Sequence, residues 1–400
     1  NLRYADFTSG MDLSRSHFYS SWLHNARFAE ANLADSNFNA ADLTNADFSR
    51  ANLVGTNLGR AVFANTNFAD AEVRGASFWG ATWHDFTPQQ LYSTASYQAK
   101  NLQDVNFWDV DLSGWDLSGQ DLSGADFEGA TLSNTNLVGA CLVLANFEQA
   151  TLPGANLDLA DLRRATVLSD VELNRASTDN AILPAGVLQG LDLRDGQRLV
   201  VRDLDLTITV AESMRMTVGS TLQLLLEDGA WGSTISPSIA SSPQLGGTLA
   251  LTFAAGADFA SLVGSPLQVF AWPGLLSEEQ RFDEILVSSA ASWDLSQLYT
   301  SGHIVLRGPT LPGDVDFDGQ LTAGDIDQIA AGIATASMSS LFDVNRDSEV
   351  NAHDFSHWVR HLKGTYLGDT DLDGNFNSSD MIQVFAAGKY ETGQAAGWAE

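Results

Sequence analysis

The chain has 400 residues, of which 44% are apolar, and this content predicts a protein of two to four domains. Its formal net charge of -30 argues against a polyanionic partner such as nucleic acid and favours cations, because the chain has little with which to neutralise phosphates. The single cysteine, Cys141, excludes an intramolecular disulfide. No apolar segment approaches the length of a membrane span.

The first predicted element is a repeat of five residues. A large apolar residue occupies every fifth position and a small residue, mostly Ala, stands two positions before it. The large residues of the first block are Leu13, Phe18, Leu23, Phe28, Leu33, Phe38, Leu43, Phe48, Leu53, Leu58, Phe63, Phe68, Val73, Phe78 and Trp83, and a second block runs from Leu102 to Val167. Because period five fits neither a helix nor a strand, the chain must turn a corner in each unit and place both residues inward. This pattern predicts a solenoid in which equal positions stack about 4.8 Å apart.

The repeat units resemble the pentapeptide-repeat family over about residues 1–170. Examples are Ala31-Asn32-Leu33, Ala41-Asp42-Leu43 and Ala125-Asp126-Phe127. The resemblance implies a right-handed quadrilateral β-helix with four units per coil, and we place this first domain at residues 1–175. The fold class is therefore predicted as mainly β. Some members of the family protect DNA gyrase by mimicking duplex DNA, while the fold itself hosts many roles.

A helical insertion is predicted near residues 85–100, where the five-residue period stops. Thr87 and Pro88 suit the cap and the first position of a helix. The inserted helix is either a partner-binding feature or an insertion tolerated at a corner of the solenoid.

Residues 176–308 are predicted to form a β-rich domain, because alternating and β-branched segments are separated there by Gly, Ser and Pro clusters. The alternation leaves a further β-helix and a sandwich equally open. The segment Trp293–Gly302, together with other parts of residues 188–308, resembles the domain that follows autotransporter-associated β-strand repeats in large secreted bacterial proteins. That resemblance implies export.

Three clusters of carboxylates follow residue 313. Each places oxygen ligands at loop positions 1, 3, 5 and 12 and a backbone carbonyl at position 7, a spacing that suits Ca²⁺ and does not suit Zn²⁺. The predicted metal ligands are Asp314, Asp316, Asp318, Gln320 and Asp325 in loop one, Asp343, Asn345, Asp347, Glu349 and Asp354 in loop two, and Asp369, Asp371, Asp373, Asn375 and Asp380 in loop three. Asp at position 12 reaches less far than Glu, which predicts weak affinity.

One helical segment follows each loop, namely 326–333, 355–362 and 381–387. This arrangement resembles dockerin modules over about residues 313–390, and it implies a small α-helical, EF-hand-like module that folds on calcium and docks to a cohesin domain. We place the module at residues 313–400. Loops one and two are expected to pair, so loop three lacks a partner; we therefore expect that the module is truncated and that the natural protein continues with another loop.

The resemblance is weaker for partner recognition, which dockerins carry on hydroxyl-bearing residues at loop positions 10 and 11. Only loop three has them, as Ser378 and Ser379. Loop two carries Ser348 where Gly permits the sharp turn, so its site is expected to be the poorest. The helix that follows has His353, His357 and His361 on one face, which indicates a solvated surface more than a transition-metal site.

No catalytic residue is predicted, because the sequence holds no nucleophile motif, CxxC or phosphate loop. The sequence therefore predicts an exported, non-enzymatic scaffold or interaction protein, extracellular or on the cell surface. Its signal peptide lies outside this sequence. Its partner is a protein that meets the dockerin-like module, either a cohesin or a part of the same chain. The first alternative is a component of an extracellular polysaccharide-degrading assembly whose catalytic module lies elsewhere, and the second is a DNA-mimicking, gyrase-interacting protein.

Overall fold

The computed structural model describes residues 1–375 except 9, 167–174, 228–230, 239–241, 255–259, 338, 368, 370, 371 and 373. The chain divides into two compact units, one of Asn1–Asp192 with Arg198–Val200 and the other of Leu193–Gln197 with Val201–Glu400. Among the helices of the described residues, none has the length and apolar character that crossing a bilayer requires.

The first unit is a solenoid of short parallel bridges. Asn32 pairs with Asn52 and Asp47 with Asn67, and the same offset of 20 residues recurs along both blocks. Each coil therefore holds four five-residue units.

Phenylalanine ladders fill the centre of the solenoid. Phe28 stacks on Phe48 with ring centroids 4.9 Å apart, and Phe18 stacks on Phe38 at 4.6 Å. Phe48 is fully buried and Ala46, the small residue of the same unit, is 1% exposed. The inward position predicted for both residue types is thus confirmed in the middle of the stack.

The polar positions of each unit stabilise its corner. Asn45 adopts a left-handed φ of 56°, and the Asp42 carboxylate accepts a hydrogen bond from the Thr44 amide at 3.1 Å. Neighbouring coils are joined by side chains too, since Asn52 Nδ2 donates to Asn32 Oδ1 at 3.0 Å. Asn and Asp suit these sites because their short side chains bond to the nearby backbone and tolerate left-handed φ.

The prediction that Trp83 points inward is wrong. Trp83 is 73% exposed, and Phe86 takes the core position, 4.5 Å from the Phe78 ring. The reason is that a 3-10 helix at Ala81–His84 replaces the regular corner and turns Trp83 outward. The insertion thus begins earlier than its sequence suggests.

The rest of the insertion forms two short helices, α1 (Pro88–Tyr92) and α2 (Ala95–Gln98). Gln90 Nε2 donates to the carbonyl oxygens of Phe63 and Thr66, at 2.8 and 3.0 Å, and Leu91 is fully buried. These contacts make α1 part of the solenoid wall, which supports the interpretation as a tolerated insertion.

The middle of the chain consists of short strands. Their bounds are β1 (Val187–Leu188), β2 (Leu191–Leu193), β3 (Arg198–Arg202), β4 (Ile208–Val210), β5 (Met214–Met216), β6 (Thr221–Leu226), β7 (Ile235–Pro237), β8 (Gln244–Leu245), β9 (Thr248–Phe253), β10 (Pro266–Gln268), β11 (Glu284–Val287), β12 (Ala291–Asp294) and β13 (His303–Pro309), with a 3-10 turn at Glu278–Gln280.

Strand pairing in the second unit is first parallel and then antiparallel. β4, β5 and β6 pair in parallel with β7, β8 and β9 respectively, and β9 pairs in parallel with β11. Consecutive strands that each join a different sheet are typical of a coil, so the pairing favours the β-helix over the sandwich. β13 then pairs antiparallel with both β10 and β12.

Two helices follow the acidic loops in the described part of the second unit. Helix α3 spans Ala323–Ala334, and α4 spans Ala352–His357 and continues as a π-helical turn over Trp358–Leu362. The helices predicted after loops one and two are thus present, and the second changes its winding half-way.

Candidate calcium centre

Loop one brings three carboxylates together. Asp314, Asp316 and Asp325 each offer an oxygen, and these oxygens all lie within 4.8 Å of one another. Asp314 and Asp325 are fully buried. Oxygen atoms alone, in a cluster of this size, form the donor set that Ca²⁺ prefers.

The backbone of loop one wraps the carboxylate of position 1. Asp314 accepts hydrogen bonds from the amides of Asp318 and Gly319 at 3.1 and 3.0 Å. Gly319, at position 6, adopts φ of 86°, which a side chain would strain. The Asp318 carboxylate accepts a hydrogen bond from the Gln320 amide at 2.7 Å, and the Asp316 carboxylate accepts one from the Asp318 amide at 3.1 Å. Hydrogen bonds of this turn therefore join four of the five predicted ligand residues, namely Asp314, Asp316, Asp318 and Gln320.

Asp325 forms hydrogen bonds both within loop one and at the start of helix α3. Its carboxylate accepts hydrogen bonds from the amides of Val315 and Thr322, at 2.7 and 2.8 Å. Thr322 is the N-cap of α3 and Asp325 its third residue, so the two form a capping box. The first turn of the helix therefore holds the position-12 carboxylate in place.

Burial raises the pKa values of these carboxyl groups. The pKa of Asp325 rises to about 7 and that of Asp314 to about 6, chiefly by desolvation, and Asp316 shifts in the same direction for the same reason. Neighbouring carboxylates add repulsion in each case. A divalent cation would remove both penalties, because it supplies the opposite charge at the centre of the cluster.

Loop two repeats the hydrogen-bond pattern. Asp343 accepts from the amides of Asp347 and Ser348 at 3.0 and 2.9 Å, and Asp354 accepts from the amides of Asn345 and Asn351 at 3.2 and 2.9 Å. Glu349, the position-7 residue, donates its amide to Asp347 Oδ1 at 2.9 Å.

The position-6 residue distinguishes the two loops. Ser348 adopts φ of 74°, a left-handed conformation that costs a residue with a side chain about 1–2 kcal/mol. The strain expected at this position is therefore present.

Loop three is described only in part. Asp369 is fully buried and accepts hydrogen bonds from the Gly374 amide, at 2.8 Å, and from the Thr365 hydroxyl. Asn375 is exposed. Asp371, Asp373 and Asp380 lie outside the described residues, as does the segment predicted as its helix, so the ligand set of loop three stays a prediction.

Loops one and two pack on each other through the helix of loop two. Trp358 is fully buried, and its Nε1 donates to the Gly313 carbonyl at 2.7 Å. Lys363 Nζ donates to the carbonyl of Leu321, at position 8 of loop one, at 2.7 Å. The histidines of this helix form no carboxylate-bearing cluster within the described residues, although the His357 and His361 rings lie 4.9 Å apart.

Comparison with protein families identifies both ends of the chain. A model of pentapeptide repeats matches residues 12–50, 41–80, 101–139 and 140–177, and a model of the dockerin type I domain matches residues 312–363. The chain contains pentapeptide repeats and a type I dockerin domain. The dockerin match spans loops one and two, which are joined by the hydrogen bond from Trp358, after loop two, to Gly313, before loop one.

Solved structures resemble the pentapeptide repeats at low identity. One is HetL, a pentapeptide repeat protein involved in heterocyst differentiation regulation from the cyanobacterium Nostoc sp. strain PCC 7120, with 24% identity, coverage of 45% of this chain and 76% of that chain, and a TM-score of 0.22. Another is a trypsin-treated variant of QnrB1, a plasmid-mediated fluoroquinolone resistance protein, with 21% identity, coverage of 45% of this chain and 78% of that chain, and a TM-score of 0.22.

A pentapeptide repeat protein from the Arabidopsis thaliana thylakoid lumen has 22% identity, coverage of 43% and 81%, and a TM-score of 0.14. At these values the similarities carry no functional argument. A comparison with curated proteins finds no match for this chain.

The ligand spacing alone did not reveal which residues hold the loops in place. Thr322 and Asn351 cap the two helices, and each could have been found from the capping-box spacing to Asp325 and Asp354. The burial of Phe317, which is 4% exposed, was not predicted either, because a residue between two predicted ligands gives no periodic signal.

Proposed function

We propose that the chain is an exported, non-enzymatic interaction protein whose dockerin domain binds calcium and docks to a protein partner. The observation that carries the proposal is the cluster of Asp314, Asp316 and Asp325 within the segment that matches the dockerin model. The match to pentapeptide repeats supports a right-handed quadrilateral solenoid as its other part. The resemblance of residues 188–308 to autotransporter-associated domains supports export.

The dockerin match also favours the first alternative, a component of an extracellular polysaccharide-degrading assembly, because a docking module ties its chain to a larger complex. The net charge of -30 is the feature that supports the DNA-mimicking alternative.

Calorimetric titration of the full chain with Ca²⁺ tests the proposal. We expect binding with a dissociation constant of roughly 0.1–1 mM, the range of extracellular sites. Replacing Asp316 by Asn should remove the loop-one event, because it takes away one charge of the cluster. The control Glu278→Gln removes an exposed carboxylate of the β region and should change nothing. A titration without heat, together with a melting temperature unaffected by chelator, would contradict calcium binding.

Capture of a partner gives the second test. A purified type I cohesin should bind the full chain in Ca²⁺ and release it in chelator. Binding of the cohesin to the Asp316→Asn variant with unchanged affinity would argue against a calcium-dependent interface.

A further inference from the structure

An aromatic residue of calcium loop one is embedded in the β region of the same unit. Phe317 occupies loop position 4, between two predicted ligands, yet it is only 4% exposed. Its ring lies 5.3 Å from that of Phe253, the last residue of β9, and Phe253 in turn stacks on Trp293 of β12 at 6.0 Å. The three rings form one apolar cluster.

Loop two offers an internal comparison. Its position-4 residue is Arg346, which shares the left-handed backbone of Phe317, with φ of 63° against 59°. Arg346 is exposed, however, so loop two has no corresponding anchor. The loop conformation is common to both, whereas the apolar contact belongs to loop one.

A hydrogen bond attaches the dockerin domain to the β region at a second point. Ser339, beyond the end of α3, donates its hydroxyl to the Ala260 carbonyl at 2.9 Å. The chain that leads into loop one is also held, because Thr310, which follows β13, donates its amide to the Ala290 carbonyl at 2.8 Å. Loop one therefore starts from a fixed point of the β region, and the end of α3 returns to that region.

We propose that the β region is itself a docking partner of the dockerin domain, through Phe317, and that calcium at loop one stabilises β9 and β12. The proposal rests on the proposed function, in that calcium must bind loop one. Phe317 lies between Asp316 and Asp318, so a cation that fixes these two residues also fixes the ring. Linkage is reciprocal: the factor by which calcium strengthens the ring contact is also the factor by which the ring contact strengthens calcium binding. Loss of the ring contact must therefore weaken calcium binding by that factor.

Amide hydrogen exchange of the full chain, with and without Ca²⁺, tests this coupling. At a calcium concentration of 100 times the dissociation constant, exchange of loop one and of β9 should slow by up to about 100-fold. Phe253→Ala and Phe317→Ala should keep the calcium effect in loop one but lose it in β9, and they should weaken calcium binding. The matched control Arg346→Ala, at the same position of loop two, should keep the effect in both segments.

Two further variants separate this proposal from calcium binding itself. Asp316→Asn should abolish the response of β9, and Asp343→Asn in loop two should retain it. If calcium slows exchange in neither loop, the proposed function fails. If it slows exchange in loop one while β9 stays unchanged, the coupling is overturned and calcium binding stands. Should Phe317→Ala fail to fold, Phe253→Leu, which keeps much of the ring's volume, should give an intermediate β9 response; a full response would contradict the proposal.

Discussion

The pentapeptide solenoid and the dockerin domain differ in the chemistry of their buried side chains and in what stabilises them. In the solenoid, Phe48 meets another phenylalanine 20 residues away in the chain, and no charge enters the core at that level. In loop one, the buried carboxylates of Asp314 and Asp325 face one another and have raised pKa values. The stability of the solenoid around Phe48 should therefore be insensitive to ions, whereas that of loop one should depend on calcium and pH.

The largest effect is expected from a charge placed in the solenoid core. Phe48→Asp should destabilise the solenoid by about 3–5 kcal/mol or more, because the carboxylate is buried without a partner and neighbouring coils share the ladder. Circular dichroism and thermal unfolding measure the effect, and calcium should not restore it. The control Gln149→Glu adds a carboxylate at an exposed corner and should leave the melting temperature nearly unchanged. Native-like unfolding of Phe48→Asp would refute the inward ladder.

The opposite substitution, removal of a charge from loop one, should act mainly through calcium. Asp325→Asn should weaken calcium binding at loop one by about tenfold or more, since affinity follows the number of charged ligands. The metal-free protein should lose little, because the change also removes a buried carboxyl whose ionisation is unfavourable. Titration calorimetry and thermal unfolding in chelator separate the two effects. A large loss of stability without calcium would show that the capping role of Asp325 dominates.

A smaller effect is expected from pH, which should change the stability of the calcium loop and should not change that of the solenoid core. Asp325 and Asp314 have folded-state pKa values of about 7 and about 6 against an ordinary 3.8, so the folded metal-free state binds more protons than the unfolded state between these limits. The contribution of these two groups to its stability should therefore be fully present below about pH 4 and be lost as the pH rises to about 7. Calcium competes with these protons, so the calcium-induced rise in melting temperature should grow from pH 5 to 7.5. A rise that is independent of pH would contradict the assignment.

The smallest effect is expected from the residue at position 6 of loops one and two. Ser348→Gly should strengthen calcium binding at loop two by about 1 kcal/mol, because glycine adopts the left-handed conformation without strain. The mirror variant Gly319→Ser should weaken loop one by a similar amount. Calorimetric titrations of both variants and of the parent chain provide the comparison. Equal affinities in all three would show that strain at position 6 does not limit binding.

The repeat could be predicted from the sequence almost position by position. Each unit carries its own large residue, small residue and corner residue, so a short window contains the information that fixes the coil. The prediction failed at Trp83, where the five-residue spacing continues but a 3-10 turn has already begun. Periodicity cannot show which of two candidates, Trp83 or Phe86, the coil accepts, because that choice depends on the space beside Phe78 in the next layer.

The acidic loops could also be predicted from the sequence, because the ligands at positions 1, 3, 5 and 12 are close to one another in the chain. Their spacing predicted the cluster that Asp314, Asp316 and Asp325 form, although the ligand sets themselves stay a prediction. The alternating segments between the two ends predicted strands and left their arrangement open. Parallel pairing of β6 with β9 favours a coil, and alternation carries no information on strand direction.

What the sequence determined by itself, then, was every feature whose contacts recur at a fixed short interval: the ladders of the solenoid and the calcium-type loops. Tertiary structure alone decided the outward turn of Trp83, the parallel order of the strands and the burial of Phe317 against Phe253. Phe317 and Phe253 are separated by more than sixty positions and by several strands, and their contact depends on how those strands stack. Burial, which sets the raised pKa values of loop one, is likewise a property of the packed chain, so the chemistry of the loop follows from the fold around it.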